Sequence, residues 1–336
     1  MRLFALLLAG ILLGGCAKPA PTPVAADSAA TAPALIKLRL QTDWYPQAEH
    51  GGFYQALAKG YYKDVGLDVE ILPGGPGPLV TQKILAGIAD ISIGASDSII
   101  YNVSSGLPFL IIGDYMQHDP QAILVHADSP ITTFEQLDGQ TIMAVPGSDW
   151  ILYLKARYKM DFKLIPSNFG IAQFMADKTF IQQCFITNEP YFTAQNGVKS
   201  RALLIADSGF EPYRILFTTQ RFAREHPEAL KKFVAASVRG WADFMTGDPT
   251  PGKKLILEKN DKMTAAFMDY SIAAMKASYL VTGRPGSGEQ TGLMTAKRLG
   301  EQSQLLADLK IISAPVPLDK FVSFDFLPPE LQALAK

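Results

Sequence analysis

The spacing of apolar positions along the chain switches repeatedly between two periods. Residues 37–41, 68–72, 90–94 and 109–113 alternate polar and apolar side chains or run apolar for a few positions, the pattern of a strand. Residues 52–62, 78–86 and 96–104 lie between them and place apolar side chains three and four apart, the pattern of a helix with one buried face. Ser96 or Asp97 before Ile99-Ile100, and Ser148 or Asp149 before Trp150, supply the acceptors that helix N-termini favour. A second series follows, with strand-like runs at 122–125, 141–145, 162–165, 180–186, 202–206 and 213–218 and a helix at 150–158. From residue 220 onward the pattern is almost entirely helical, including a long segment at 227–246, and no internal repeat is found.

Strands separated by crossover helices predict an α/β fold with parallel sheets covered on both faces. The body beyond residue 34 is roughly 300 residues, longer than one core usually serves, and this predicts two doubly wound lobes. The order of elements assigns residues 35–121 and 214–330 to lobe I and residues 122–213 to lobe II. Strand-like crossings at 122–126 and 214–218 are expected to form a two-strand hinge. The cleft between such lobes faces the carboxyl ends of strands and the amino ends of helices, where ligands of open α/β sheets bind.

The first residues add a compartment. Arg2 precedes an apolar run at 3–13, too short to span a bilayer as a mature helix, which ends in Leu13-Gly14-Gly15-Cys16. A lipoprotein signal peptide over 1–15 is expected, with Cys16 lipidated and residues 16–34, rich in Ala, Pro, Thr and Ser, as a flexible tether. The protein is then expected in the periplasm or cell envelope, anchored to a membrane by lipid. With Cys16 so used, Cys184 has no disulfide partner and a cysteine-based metal site is not expected. A net charge of −1 argues against nucleic acid as the partner.

Candidate binding residues cluster at the strand-to-helix turns. After the first strand stand Asp43, Trp44 and His50: Trp44 either stacks on a planar ring or fills the core, Asp43 either accepts from a ligand or faces a helix start, and His50 either caps or binds. Gly51 and Gly52 either admit a ligand to the backbone or loosen the turn. Gly74 and Gly75 form an anion-receptive turn or a plain tight one. Ser96, Asp97 and the neighbouring Ser98 open the next helix; one of them serves as a cap, and the others are free to meet a ligand. In the second series Ser148 is a donor candidate, Trp150 a second ring wall, and Asn188, Glu189 and Tyr191 follow the run at 180–186. Glu189 either faces a ligand or complements a helix N-terminus. The Met and Phe residues of 233–245 and 263–275 fall at helical spacing and are expected in the core, as is Cys184.

Several blocks resemble the SsuA/THI5-like (NMT1) family. They are Asp43-Trp44-x-Pro46, Gly52-x-Tyr54-x-Ala56, the run from Lys59-Gly60-Tyr61-Tyr62 to Glu70-Ile71, Gly87-x-Ala89-Asp90-Ile91, Gly106-Leu107-Pro108, Leu137-x-Gly139 and Asn188-Glu189-Pro190. The resemblance covers about residues 38–224. It implies a type II periplasmic-binding-protein fold and a solute-binding component of an ABC importer, working as a monomer with permease subunits as partners. It also implies a small planar heterocyclic ligand, first a thiamin-type pyrimidine precursor, with the matching Trp44 stacking on the ring and the matching Glu189 accepting from an aminopyrimidine edge.

Riboflavin binders of the family share the Pro46-Gln47-Ala48 and Gly74-Gly75-Pro76 blocks, so a flavin is the first alternative; a sulfonate or taurine is the second. The family's enzyme branch, the pyrimidine phosphate synthases, carries a lysine and a histidine where this chain has Gly94 and Ser98, and a cysteine-rich run where residues 207–217 have none. Without the amine there is no Schiff base, so neither catalysis nor a cofactor is expected. Lys231-Lys232 and Lys253-Lys254 are either solvated faces or a permease-docking surface.

Overall fold

A computed structural model of the protein describes residues 34–77 and 79–336. The expected leader, Cys16 and all but the last residue of the tether lie outside the described residues. Residues 35–336 form one compact unit.

Among the described residues ten strands build two five-stranded sheets. The first holds β1 (Ile36–Gln41), β2 (Leu67–Leu72), β3 (Ile91–Ala95), β4 (Phe109–Met116) and β10 (Arg214–Thr219), in the order β2-β1-β3-β10-β4. The second holds β5 (Gln121–His126), β6 (Thr141–Ala144), β7 (Lys163–Pro166), β8 (Ile181–Phe185) and β9 (Ser200–Leu204), in the order β7-β6-β8-β5-β9. Each run of alternating or apolar residues therefore found a ladder. The Leu67–Leu72 strand shows why: its odd positions are buried and its even ones are not, as a two-residue period requires.

The sheets are mixed rather than parallel. β10 runs antiparallel to both β3 and β4, and β5 antiparallel to both β8 and β9. Residues 122–126 and 214–218, expected as the hinge, are thus interior strands of their sheets. The chain crosses between sheets just before each of them, through residues 117–120 and through residues 205–213. A strand that enters its sheet directly from the other one arrives without a crossover helix, and this leaves it free to pair antiparallel.

The core of the first half explains the glycine pair. A Cβ on Gly51 would lie 2.1 Å from the Phe244 ring, and one on Gly52 would lie 2.1 Å from the Trp241 ring. A Cβ on Gly240 would lie 2.3 Å from the Gly52 carbonyl oxygen. The helices Gly51–Ala58 and Pro227–Thr246 therefore pack backbone against aromatic ring, and the pair serves that contact rather than a ligand. The helix expected over 52–62 is split, because Gly60 takes a left-handed conformation (φ 75°) and a second short helix, Tyr61–Asp64, starts after it. Phe233, Phe244, Met245, Met268 and Met275 are buried, as their helical spacing predicts.

Candidate functional site

A cavity of about 630 Å³ lies between the two sheets, beyond the carboxyl ends of β1, β6 and β8. Seven of the expected residues line it: Asp43, Trp44 and His50 from the turn after β1, Ser98 after β3, Ser148 after β6, and Asn188 and Glu189 after β8.

The other six are elsewhere. Trp150 is 1 % exposed and packs near Phe162 in the core of the second half, so it is not a ring wall. Its place on the helix Asp149–Tyr158 turns it inward, onto the sheet. Tyr191 stacks on Phe267, with ring centroids 4.9 Å apart, and belongs to the contact with the helix Ala265–Ala277. Ser96 donates to Gln302 and accepts from the Tyr213 amide, which uses up its hydroxyl. Asp97 is buried behind the cavity wall, where it accepts from the Ser98 amide. Gly74 donates its amide to the Trp44 carbonyl oxygen, and a Cβ there would lie 2.5 Å from the Thr42 carbonyl oxygen. Gly75 faces the Tyr45 ring. The Gly74-Gly75 turn therefore braces the Trp44 loop and is not an anion nest.

Residues missed in the sequence complete the wall. Phe169, from the loop after β7, brings its ring to 5.5 Å from Trp44, so the two sheets close the cavity with one aromatic each. Phe169 sits at φ 58°, a left-handed conformation that a bulky side chain rarely takes, and local bonds hold it there: its amide donates to Ser167 Oγ and the Gly170 amide to Asn168 Oδ1. Arg214, at the start of β10, is 9 % exposed and also reaches the cavity. A single charged residue heading an otherwise uncharged strand was the signal for it, since arginine is rarely buried unpaired.

The charges around Arg214 are committed. Its guanidinium pairs with Asp43, lies 3.6 Å from Asp119 and donates to the Tyr115 hydroxyl at 3.2 Å. Asp43 also meets His50 Nε2 at 3.2 Å. Burial alone would raise the Asp43 carboxyl; Arg214 and His50 outweigh it and hold it at about 2. Two other carboxylates have no cation. Glu49 is 5 % exposed and accepts from the Thr187 hydroxyl, which hangs on the opposite sheet's side of the cavity. Glu189 accepts from the Phe185 amide at 2.8 Å. Burial pushes the Glu49 carboxyl up, and pushes the Glu189 carboxyl to about 7, with Glu49 adding to the rise.

Cys184 lines the cavity, but burial raises its thiol and leaves it a poor nucleophile. No lysine is among the residues lining the cavity. Among the described residues one cluster has the atoms for a metal: His118 and Glu211 from the two sheet crossings, and Glu289 from the carboxyl-terminal region. The two nitrogens of His118 face different carboxylates, Glu289 at 3.0 Å and Glu211 at 3.5 Å. Arg284 lies 2.6 Å from Glu211, and Arg298 lies 3.4 Å from Glu289. That arrangement is an ion-pair knot joining both crossings to the carboxyl-terminal helices.

Comparison with known proteins places this cavity in a family. The chain is 24 % identical over 339 residues to the riboflavin-binding protein RibY of Chloroflexus aurantiacus, covering 95 % of each chain. It is 22 % identical to the formylaminopyrimidine-binding protein of Halalkalibacterium halodurans, covering 78 % of this chain and 79 % of that one. Its fold matches the crystal structure of the aliphatic sulphonate binding protein SsuA of Escherichia coli with a TM-score of 0.66 at 14 % identity, covering 90 % of this chain and 100 % of that one. The type II periplasmic-binding fold expected from the sequence is thereby shown. Residues 47–250 match the profile described as NMT1/THI5 like, and the chain belongs to that family.

Proposed function

We propose that this protein is the solute-binding component of an ABC importer, and that it holds a small planar nitrogen heterocycle between its two halves. One observation carries the reading: the cavity between the sheets is closed by two aromatic rings, Trp44 from one side and Phe169 from the other. A flat ligand laid against these rings buries an apolar face, a favourable way to take a ring out of water. Asn188 and Glu189 then meet its edge. The short crossings at 117–120 and 205–213 are the segments about which the halves open and close. Capture, closure and delivery to a permease follow, with no bond broken; Gly94 and the lysine-free cavity wall support this over a synthase activity. Lipid attachment at Cys16 is the proposed anchor.

A thiamin-type aminopyrimidine fits the Glu189 edge. A flavin is the second reading, favoured by the cavity's size, which exceeds what one pyrimidine ring fills, and by the match along 95 % of a riboflavin-binding relative. Calorimetry on the purified full chain with an aminopyrimidine, thiamin, riboflavin and an alkyl sulfonate tests the proposal. Micromolar or tighter binding of at least one heterocycle is expected, weakened by Trp44→Ala. Binding of the sulfonate alone would overturn it.

A further inference from the structure

The two halves are tied by more than the crossings. Residues 186–192 leave β8 in the second half and dock on the helix Ala265–Ala277, whose Phe267, Met268, Ile272 and Met275 belong to the core of the first half. Two backbone carbonyls of the second half accept from that helix: Ile186 from the Tyr270 hydroxyl at 3.0 Å, and Thr187 from Ser271 Oγ at 2.7 Å. The Thr187 hydroxyl in turn donates to Glu49, from the turn after β1. Thr187 is fully buried and Ser271 is 1 % exposed, so water does not compete for these bonds. Rings continue the contact. Tyr191 stacks on Phe267 and meets Tyr270 at 5.4 Å, and Phe192 meets Phe267 at 4.8 Å.

These hydrogen bonds and ring contacts all pair a residue of one half with a residue of the other, and none belongs to 117–120 or 205–213. The Ile186 amide donates to the Pro120 carbonyl, at the first crossing, so the hinge ends where this contact begins. Rotation of the halves about the crossings draws residues 187–192 off the helix. It breaks the bonds to Tyr270 and Ser271, strips Glu49 of its donor and wets the faces of Tyr191 and Phe267. The protein makes all of these contacts by itself.

We infer that Thr187, Tyr191, Phe267, Tyr270 and Ser271 form a latch that holds the halves closed without ligand, and that it sets the affinity for every ligand alike. This rests on the reading that the halves close around a solute, and adds what holds them. A ligand that binds only the closed arrangement has an apparent Kd equal to its intrinsic one divided by the closed fraction. The latch raises that fraction before the ligand arrives. Asn188 and Glu189 lie between two fastened residues, Thr187 and Tyr191, so the same contact brings their wall to the cavity.

Small-angle X-ray scattering of the purified full chain without ligand tests the latch, with Thr187→Val, Tyr191→Ala and Tyr270→Phe as variants. None of the three removes an apolar side chain of the buried cores. Each variant is expected to have a larger radius of gyration than the parent, most of all Tyr191→Ala combined with Tyr270→Phe. Tyr270→Phe deletes a single oxygen atom, so it keeps the test open where a larger change unfolds the chain. Calorimetry on the same samples with riboflavin and an aminopyrimidine reads the second half of the inference. The combined variant should raise the apparent Kd about ten-fold, as a closed fraction reduced to about one tenth requires, and by one factor where both ligands bind. A radius unchanged in every variant would overturn the latch, as would a loss of affinity with no change in radius. Binding of neither heterocycle would overturn the solute reading, while the scattering, which needs no ligand, still decides the latch.

Discussion

The rings of Trp44 and Phe169 lie with centroids 5.5 Å apart and planes tilted by 43°, although each follows a strand of a different sheet. The contact spans the mouth of the cavity. Phe169 is 58 % exposed, so it contributes little to the core. Phe169→Ala should therefore change thermal stability by less than about 0.5 kcal/mol and weaken heterocycle binding about ten-fold. Calorimetry and a thermal melt on the same sample check both; a large stability loss with intact binding would contradict the wall assignment.

Arg214 makes the opposite prediction. It is buried among Asp43, Asp119 and Tyr115, and removing it leaves two carboxylates without their cation. Arg214→Met should cost about 3–5 kcal/mol of stability, read by denaturant unfolding. Adding Asp43→Asn to that variant should recover part of the loss, since one of the two stranded charges is gone.

Glycines at the helix contact give a third. Gly52→Ala places a methyl where the Trp241 ring stands, 2.1 Å from its nearest atom. A loss of roughly 1–3 kcal/mol is expected, with ligand affinity per folded molecule unchanged. A selective loss of affinity would return the glycine pair to the binding site.

A pH dependence follows from Asp97 and Asp149. Burial, and for Asp97 also the nearby Asp149 and Asp119, pushes Asp97 to about 7; burial pushes Asp149 to about 6. A carboxyl raised on folding binds its proton more tightly in the folded state, so stability falls as pH rises from about 4 through these values. Asp97→Asn keeps the acceptor for the Ser98 amide and removes the Asp97 part of that slope. The variant should gain on the order of 2 kcal/mol relative to the parent between pH 4 and pH 8. Parallel melting curves across that range would contradict it.

At acid pH the knot behind the cavity should act in the other direction. Burial works against ionised Glu211, but hydrogen bonds from His118 and Arg284 and the charge of Arg298 hold it at about 2. Its contribution is present above the unfolded carboxyl range and disappears as pH falls through about 2. Glu211→Gln should melt earlier than the parent at pH 7, by roughly 1–2 kcal/mol, and the gap should narrow below pH 4.

The sequence by itself determined the element types, their order and the turns that meet the cavity. Those follow from local period and capping, which act within a few residues. It placed Asp43, Trp44, His50, Ser148, Asn188 and Glu189 at strand ends, and the fold gathers these into one wall. Only the tertiary structure decided that β5 and β10 run antiparallel, because strand direction depends on how the chain re-enters a sheet and leaves the residue pattern unchanged. It alone decided that Trp150 turns into a core while Phe169 turns out to the cavity, since both follow strands of the same sheet and differ in what packs behind them. Arg214 and Asp43 are 171 residues apart, and no local pattern joins them. Their pairing exists only once β1 and β10 join one sheet, and that of Glu49 with Thr187 only once the two sheets face each other across the cleft.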